Sequence, residues 1–170
     1  MKRLDFGYYP SEFESQDEQR EFYRLLRQGW QQWKNKRFDE ALDTFTIMEK
    51  RWPNSPQVLG WLGTVHEDLG HLERAIEYLE QTVRVSPLSE LASISLFHVL
   101  RKAGEAFQDY SYWDRSIAEA ERFIHLLGRP SVQYGLILKD LRGELTDDEV
   151  RRHMEEYDEL LGEGRDDGVP

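Results

Sequence analysis

The chain has 170 residues, no cysteine and a formal net charge of −11. The lack of cysteine excludes disulfide bonds and thiolate chemistry, and the scarcity of clustered Lys and Arg argues against nucleic-acid binding. No apolar run approaches the roughly 20 residues that span a bilayer. Because no apolar stretch follows the basic start Met1-Lys2-Arg3, a secretory signal is not indicated. We therefore expect a cytoplasmic protein without membrane insertion.

The pattern of apolar residues, caps and prolines predicts a chain of helices. Residues 1–14, rich in aromatic side chains, are expected to form an extended arm. Ser15 and Glu18 form a capping box that opens the first helix. Further along, Thr146 and Glu149 form a second capping box. The predicted helices lie at about 16–34, 38–51, 56–69, 72–85, 89–104 and 112–127, followed by 132–141 and a last helix closed by Gly162.

Six positions recur with an offset of 34 residues. They are Leu25, Gly29, Phe38, Ala41, Phe45 and Pro53, which return as Leu59, Gly63, Leu72, Ala75, Leu79 and Pro87. A fixed period of this length indicates a repeat architecture, and 34 residues is the length of the tetratricopeptide unit, two antiparallel helices joined by a tight turn. The chain thus resembles the tetratricopeptide repeat (TPR) family. The resemblance implies an all-α fold, a short α-solenoid of antiparallel helix pairs with a C-terminal capping helix.

Within this register, small residues stand where two helices cross and large ones fill the space opposite. Gly29 and Gly63 mark the close crossings, and Phe45 and Leu79 are expected to fill the layer between the helices. The prolines that follow end the second helix of each unit, because proline lacks the N–H that a helix needs.

The third repeat is altered by an insertion. Gly104 matches Gly70, the glycine at the turn of the second repeat. The second helix then matches only if about seven residues are inserted around Glu105–Ser111. With that insertion, Trp113, Ser116, Ala120 and Phe123 correspond to Leu72, Ala75, Leu79 and Thr82. We expect a longer turn or an extended helix at this edge.

These features predict four segments. They are an aromatic arm at 1–14, three TPR-like repeats at 15–130 (22–55, 56–89 and 90–130), C-terminal capping helices at 131–162, and a disordered acidic tail at 163–170. Residues 140–170 carry twelve acidic and four basic side chains. This charge either solvates a cap and a tail or attracts a basic partner.

No catalytic pattern emerges from the sequence. The segment His66-Glu67-Asp68-Leu69-Gly70-His71 resembles a zinc-binding helix, but its histidines are five apart. About 500° of helical rotation would place them on different faces, and Gly70 is expected to end the helix. The other histidines are isolated, and no phosphate loop or nucleophile elbow is present. We predict no catalytic residue, no metal site, no cofactor and no enzymatic activity.

In the TPR family the first helices of successive units line a concave groove. The resemblance implies a partner-binding groove that includes Tyr23, Arg27, Trp30, Trp33, Lys34, Gln57, Trp61, Thr64, Asp68, Ile94, His98 and Arg101. The lysine and asparagine with which some members grip a terminal carboxylate are replaced by Leu26 and Trp30, so that clamp is missing. The aromatic side chains favour a binding surface. However, Phe22, Leu26, Trp30 and Trp33 also form a stripe typical of a helix core, and the arm could cover it.

Two classes of function remain. The first is a non-enzymatic protein-protein interaction module, a scaffold or chaperone-like adaptor that holds a partner segment in its groove. Bacterial secretion chaperones with three such repeats are similar in length and acidity. The alternative is an acidic immunity or inhibitor protein that neutralises a basic toxin. Both predict another protein or peptide as partner, including a basic one, and both leave homo-oligomerisation open.

Overall fold

The computed structural model describes residues 13–128 and 132–144, together with residues 146, 148 and 151. Throughout this part of the chain the regular secondary structure is helical. Seven helices follow one another within the described ranges: α1 Gln16–Lys34, α2 Phe38–Arg51, α3 Pro56–Asp68, α4 Leu72–Val85, α5 Glu90–Phe107, α6 Tyr110–Leu127 and α7 Val132–Leu141. None of these helices is both long and apolar enough to cross a bilayer.

The first seven predicted helices are confirmed, with bounds that differ by at most three residues. Ser15 caps α1 as expected, because its hydroxyl accepts the N–H of Glu18 at 3.1 Å. The Glu18 carboxylate accepts the N–H of Glu14 at 2.7 Å, one residue before the cap. Residues 1–12 of the predicted arm lie outside the described residues. So do residues 129–131, 145, 147, 149–150 and 152–170, which include Glu149 of the predicted second capping box, most of the last helix and the tail.

Each helix packs against its neighbours along the chain from α1 to α6, and α3 also contacts α5. In the first pair Gly29 lies against Phe45, while Gln32 accepts a hydrogen bond from Thr44 at 2.7 Å. Residue numbers rise along α1 while those of the contacting residues fall along α2, so the two helices are antiparallel. The described part of the chain is therefore an all-α helical repeat of stacked pairs.

The close crossings predicted at two glycines are confirmed. A Cβ atom on Gly29 would lie 2.6 Å from the ring of Phe45, and one on Gly63 would lie 2.7 Å from the Cγ atom of Leu79. Contacts below 3 Å are not tolerated by packed carbon atoms. Both helix pairs consequently require a residue without a side chain at the same point of the repeat.

The third pair uses its glycine differently from the prediction. Gly104 was expected at the turn, but α5 continues to Phe107 and the turn is made by Gln108 with φ of 55°. Gly104 instead lies inside the helix, where a Cβ atom would meet the indole ring of Trp113 at 2.1 Å. The expectation is wrong because α5 is longer than α3, so its glycine becomes a packing position.

The predicted insertion takes the form of longer helices rather than a long loop. Both α5 and α6 have 18 residues, whereas α3 has 13 and α4 has 14. Burial follows the predicted seven-residue shift, since Ser116, Ala120 and Phe123 are at most 1% exposed. The extension projects the turn between α5 and α6 beyond the turns of the first two repeats.

The turns of the first two repeats adopt the same backbone conformation. Lys36 and Gly70, 34 residues apart, both have left-handed φ, of 59° and 78°. The next residues, Arg37 and His71, have φ and ψ of −90° and 67° and of −83° and 64°. Only glycine adopts left-handed φ without steric cost. The first turn therefore carries strain at Lys36 that the second turn avoids.

Exchanging the residues at these two turns tests this strain. We expect Lys36→Gly to raise the free energy of unfolding by about 0.5–1 kcal/mol, because about 1–2 kcal/mol of left-handed strain is relieved and part is lost to the freer unfolded chain. Gly70→Lys is the reciprocal variant and should lower the free energy of unfolding by a similar amount. No atom lies within 4 Å of the Cβ position of Gly70, so the backbone strain is the main effect of this substitution. Urea denaturation measures both changes. Equal stability of all three proteins would contradict the account.

Three side-chain bonds between successive units share one spacing. Each joins residues 35 positions apart, one more than the repeat length. The bonds are Trp33 to Asp68, Lys102 to Glu67 and Arg115 to Glu80. All three are exposed and contribute little singly, and together they connect each unit to the next.

Candidate functional site

The twelve predicted groove residues lie on α1, α3 and α5. We call the side of the molecule that these three helices form the candidate face. The structure divides the twelve residues by accessibility. Arg27, Lys34, Asp68 and His98 are exposed, and Tyr23, Trp30, Trp33, Thr64, Ile94 and Arg101 are half-buried. Gln57 and Trp61 are only 2% exposed. The outer helices α1 and α5 thus present most of the accessible side chains, and α3 contributes only Thr64 and Asp68.

Trp61 is a core residue, which corrects the expectation of an exposed ring. Its indole stacks on Phe45 with ring centroids 5.6 Å apart and planes 3° apart. Trp33 meets it edge-on at 5.1 Å. Because Phe45 also fills the close crossing at Gly29, the ring of Trp61 continues the packing layer from the first repeat into the second.

Trp33 connects the first two repeats at the edge of the candidate face. Its indole N–H donates to the carboxylate of Asp68 at 2.5 Å. In the next interval Lys102 pairs with Glu67 at 3.2 Å. These bonds connect the C-terminal ends of α1 and α3 to each other and to Lys102 in the C-terminal half of α5.

The aromatic residues of α1 differ in how far packing occupies them. Tyr23 contacts Phe22 edge-on at 5.5 Å and Phe13 at 6.2 Å. Trp30 is half-buried, and the ammonium group of Lys34 lies 5.1 Å from the centre of its ring. Trp30 is thus the indole of α1 with accessible area and a neighbouring cation.

Basic side chains run along the whole length of α1. Arg20, Arg24, Arg27 and Lys34 are all exposed, and we call them the basic stripe. The helix carries four basic and three acidic residues, and no other helix among the described residues has more basic than acidic side chains. A shallow depression of about 510 Å³ is lined by Gln19, Arg20, Tyr23, Arg24 and Arg27. The basic stripe is therefore a local reversal of the charge of the chain.

The contacts of the basic stripe within α1 are long and exposed. Arg20 lies 3.6 Å from Asp17, and Arg24 lies 3.4 Å from the side-chain oxygen of Gln28. Exposed pairs of this kind contribute about 0–1 kcal/mol. The guanidinium groups can consequently exchange these contacts for a better anionic ligand at little cost.

At the other end of the candidate face, α5 contributes a cation over aromatic rings. The guanidinium of Arg101 lies 5.9 Å from the ring centre of Phe97 and 5.6 Å from that of Trp113. Desolvation lowers the pKa of neighbouring His98, with Glu67 acting in the opposite direction. His98 is therefore mainly neutral at pH 7 and adds no fixed charge to the face.

A buried polar network behind α5 was not predicted. Ser93 donates a short hydrogen bond to Glu119, and the hydroxyl of Tyr134 lies 2.7 Å from the Ser93 oxygen. Since the proton of Ser93 is used by Glu119, Tyr134 is the donor in the second bond. Arg122 pairs with Glu119 through two nitrogens at 2.6 and 2.7 Å. The network gives the buried hydroxyl group of Tyr134 a hydrogen-bond partner.

Tyr134 is the anchor of α7. It is fully buried and packs with Phe97, Ala120 and Phe123 in a second core cluster. Burial raises the pKa of its phenol, and the charge of Glu119 acts in the same direction. Because the folded state holds this proton more tightly than the unfolded chain, the stabilisation is complete below the unfolded pKa of 10.0 and is lost as the pH rises above it.

Replacing this phenol separates its hydrogen bond from its titration. We expect Tyr134→Phe to lower the free energy of unfolding by about 1 kcal/mol at pH 7, because Ser93 loses one partner. The difference between wild type and variant should shrink between about pH 9 and 11, because only the wild type carries the extra alkaline sensitivity. Thermal melts across this range measure it. A difference that does not change with pH would contradict the placement of the phenol.

The structure brings His66 and His71 together, contrary to the expectation of different faces. Their Nδ1 atoms are 3.3 Å apart. The rotation argument fails because α3 ends at Asp68 and Gly70, with φ of 78°, folds the chain back. Two imidazoles are therefore close together at the α3–α4 turn. Within the described residues, no group of three or more histidine or carboxylate side chains is placed to hold a metal ion.

Comparison with protein-family models and with curated proteins finds no match to this chain.

Proposed function

We propose that this protein is a non-enzymatic interaction module of the TPR type, a scaffold or chaperone-like adaptor that holds a segment of another protein against the candidate face. Two features support the proposal: the 34-residue repeat of sequence and turn conformation, and the accessible side chains that α1 and α5 present. Stacked helical repeats form extended binding surfaces of this kind. The basic stripe on α1 is the observation that carries the proposal furthest.

The basic stripe indicates the chemistry of the bound segment. Four exposed cations lie along about four turns of α1 in a chain whose net charge is −11. The basic stripe attracts an acidic segment of a partner and repels a basic one. Trp30, accessible beside Lys34, supplies an aromatic contact. We therefore propose an acidic partner segment with at least one apolar anchor, rather than the basic partner that the overall charge suggests.

Nucleic acid also carries negative charge, but the overall field of the protein opposes it. Phosphate backbones require several cations without competing carboxylates, because affinity scales with the number of phosphates neutralised. Here Asp17, Glu18 and Glu21 lie on the same helix as the basic stripe. A short acidic peptide can avoid these groups, whereas a long polyanion cannot.

A second candidate function rests on the acidic end of the sequence. Residues 140–170 carry eight more acidic than basic side chains, which favours the inhibitor of a basic toxin. That function would use charge outside α1, so it predicts a partner insensitive to the basic stripe. Both functions are tested by the same set of variants.

Charge reversal on α1 tests the proposed function. The partner is first captured from the native organism and identified by mass spectrometry, and its binding segment is then synthesised with a fluorescent label. We expect the triple variant Arg20→Glu, Arg24→Glu and Arg27→Glu to weaken binding about tenfold, because each exposed pair contributes about 0.2–1 kcal/mol. Fluorescence anisotropy across a salt series measures the affinity and its salt dependence.

The matched control reverses exposed cations on other helices, with Lys50→Glu on α2 and Arg84→Glu on α4. These variants should bind like wild type, and circular dichroism should show unchanged helicity for all of them. Equal loss in the control and the triple variant would refute a specific role of α1. A basic partner unaffected by the triple variant would support the inhibitor function instead, and a nucleic acid recovered as the ligand would contradict both.

A further inference from the structure

We propose that His66 and His71 form a binding site for a divalent first-row transition metal, such as Zn²⁺, Ni²⁺ or Cu²⁺, at the turn between α3 and α4. The inference is independent of the partner-binding function, because it rests on the geometry of two side chains outside the basic stripe. Imidazole is a preferred ligand of these ions.

The separation of the two rings fits a chelate. In a tetrahedral zinc site the metal–nitrogen bonds are about 2.0–2.1 Å, which places two nitrogen ligands about 3.3–3.4 Å apart. The two Nδ1 atoms of this pair are 3.3 Å apart. The two nitrogens therefore have the separation that one tetrahedral ion requires.

The backbone of the turn holds the two residues in this position. The N–H of His71 donates to the carbonyl oxygen of His66 at 2.8 Å, and the N–H of Gly70 donates to that of Glu67 at 3.0 Å. This pair of bonds is the usual closure of a helix that ends in a left-handed glycine. The spacing of five residues is thus compatible with chelation because the chain reverses between the ligands.

The ring of His66 is also held from the side. It stacks on Tyr78 with centroids 5.4 Å apart and planes 10° apart. The hydroxyl of Tyr78 in turn donates to Glu49 at 3.2 Å. Contacts that fix the orientation of a ligand raise its metal affinity, because less freedom is lost on binding.

The groups around the pair are compatible with a bound cation. Arg74 opposes a cation here, but it pairs with Glu77 at 2.8 Å, which offsets its charge. Chelation through Nδ1 requires both rings to carry their proton on Nε2. His71 is exposed, so water can reach the ion and complete its coordination.

The same distance is also consistent with an N–H···N hydrogen bond between two neutral rings, and titration with metal alone distinguishes the two. Tag-free protein is titrated with Zn²⁺ and with Ni²⁺ in an isothermal calorimeter. We expect one ion per chain with micromolar affinity. His71→Ala should weaken binding at least about tenfold, and it should fold normally because the His71 side chain makes no capping bond.

Two further variants make the test specific. His66→Phe keeps an aromatic ring against Tyr78 but removes the ligand nitrogen, so it should also lose binding. His125→Ala, which removes an exposed histidine near the end of α6, should bind like wild type. Imidazole ¹H–¹⁵N spectra should show Ni²⁺ broadening at both Nδ1 atoms. Absence of binding at millimolar metal, or binding unchanged by His71→Ala and His66→Phe, would overturn the proposal.

Discussion

The close approach of the two helices in each repeat determines where the other elements lie. At Gly29 and Gly63 the facing side chain occupies the space that a Cβ atom would need. Because the crossing point recurs after 34 residues, the second unit stacks on the first in the same register, and side-chain bonds join residues 35 positions apart in successive units. The direction of α1, α3 and α5, and therefore the candidate face, follows from this packing.

The same packing limits what the face can use for binding. Trp61 is drawn into the core because Phe45, which fills the first crossing, leaves a flat surface on which the indole stacks. The accessible side chains of the candidate face thus belong mainly to α1 and α5. Charge is divided differently, since α1 carries the basic stripe while the following helices among the described residues are acidic or balanced. The packed repeats thus fix the positions of the helices, and α1 carries the exposed basic side chains.

Helix positions could be predicted because caps, prolines and the 34-residue period are local signals. Whether each tryptophan is buried or exposed could not be predicted, because the same apolar stripe is compatible with a core and with a binding groove. Ser93, Glu119 and Tyr134 meet across 26 and 41 residues, with no pattern in the sequence to relate them. The prediction placed Gly104 at a turn, whereas it lies inside α5 and packs against Trp113. The prediction for His66 and His71 assumed one continuous helix, whereas the left-handed turn at Gly70 brings the two rings together.

A double-mutant cycle at the second crossing tests the central role of close packing most directly. Gly63→Ala should cost about 1–3 kcal/mol, although alanine is the better helix former by about 1 kcal/mol. Leu79→Ala should cost about 2–5 kcal/mol. In the double variant the space vacated at residue 79 accommodates the new methyl group, so the loss should be smaller than the sum by at least about 1 kcal/mol. Additive losses, or a stabilising Gly63→Ala, would contradict the account.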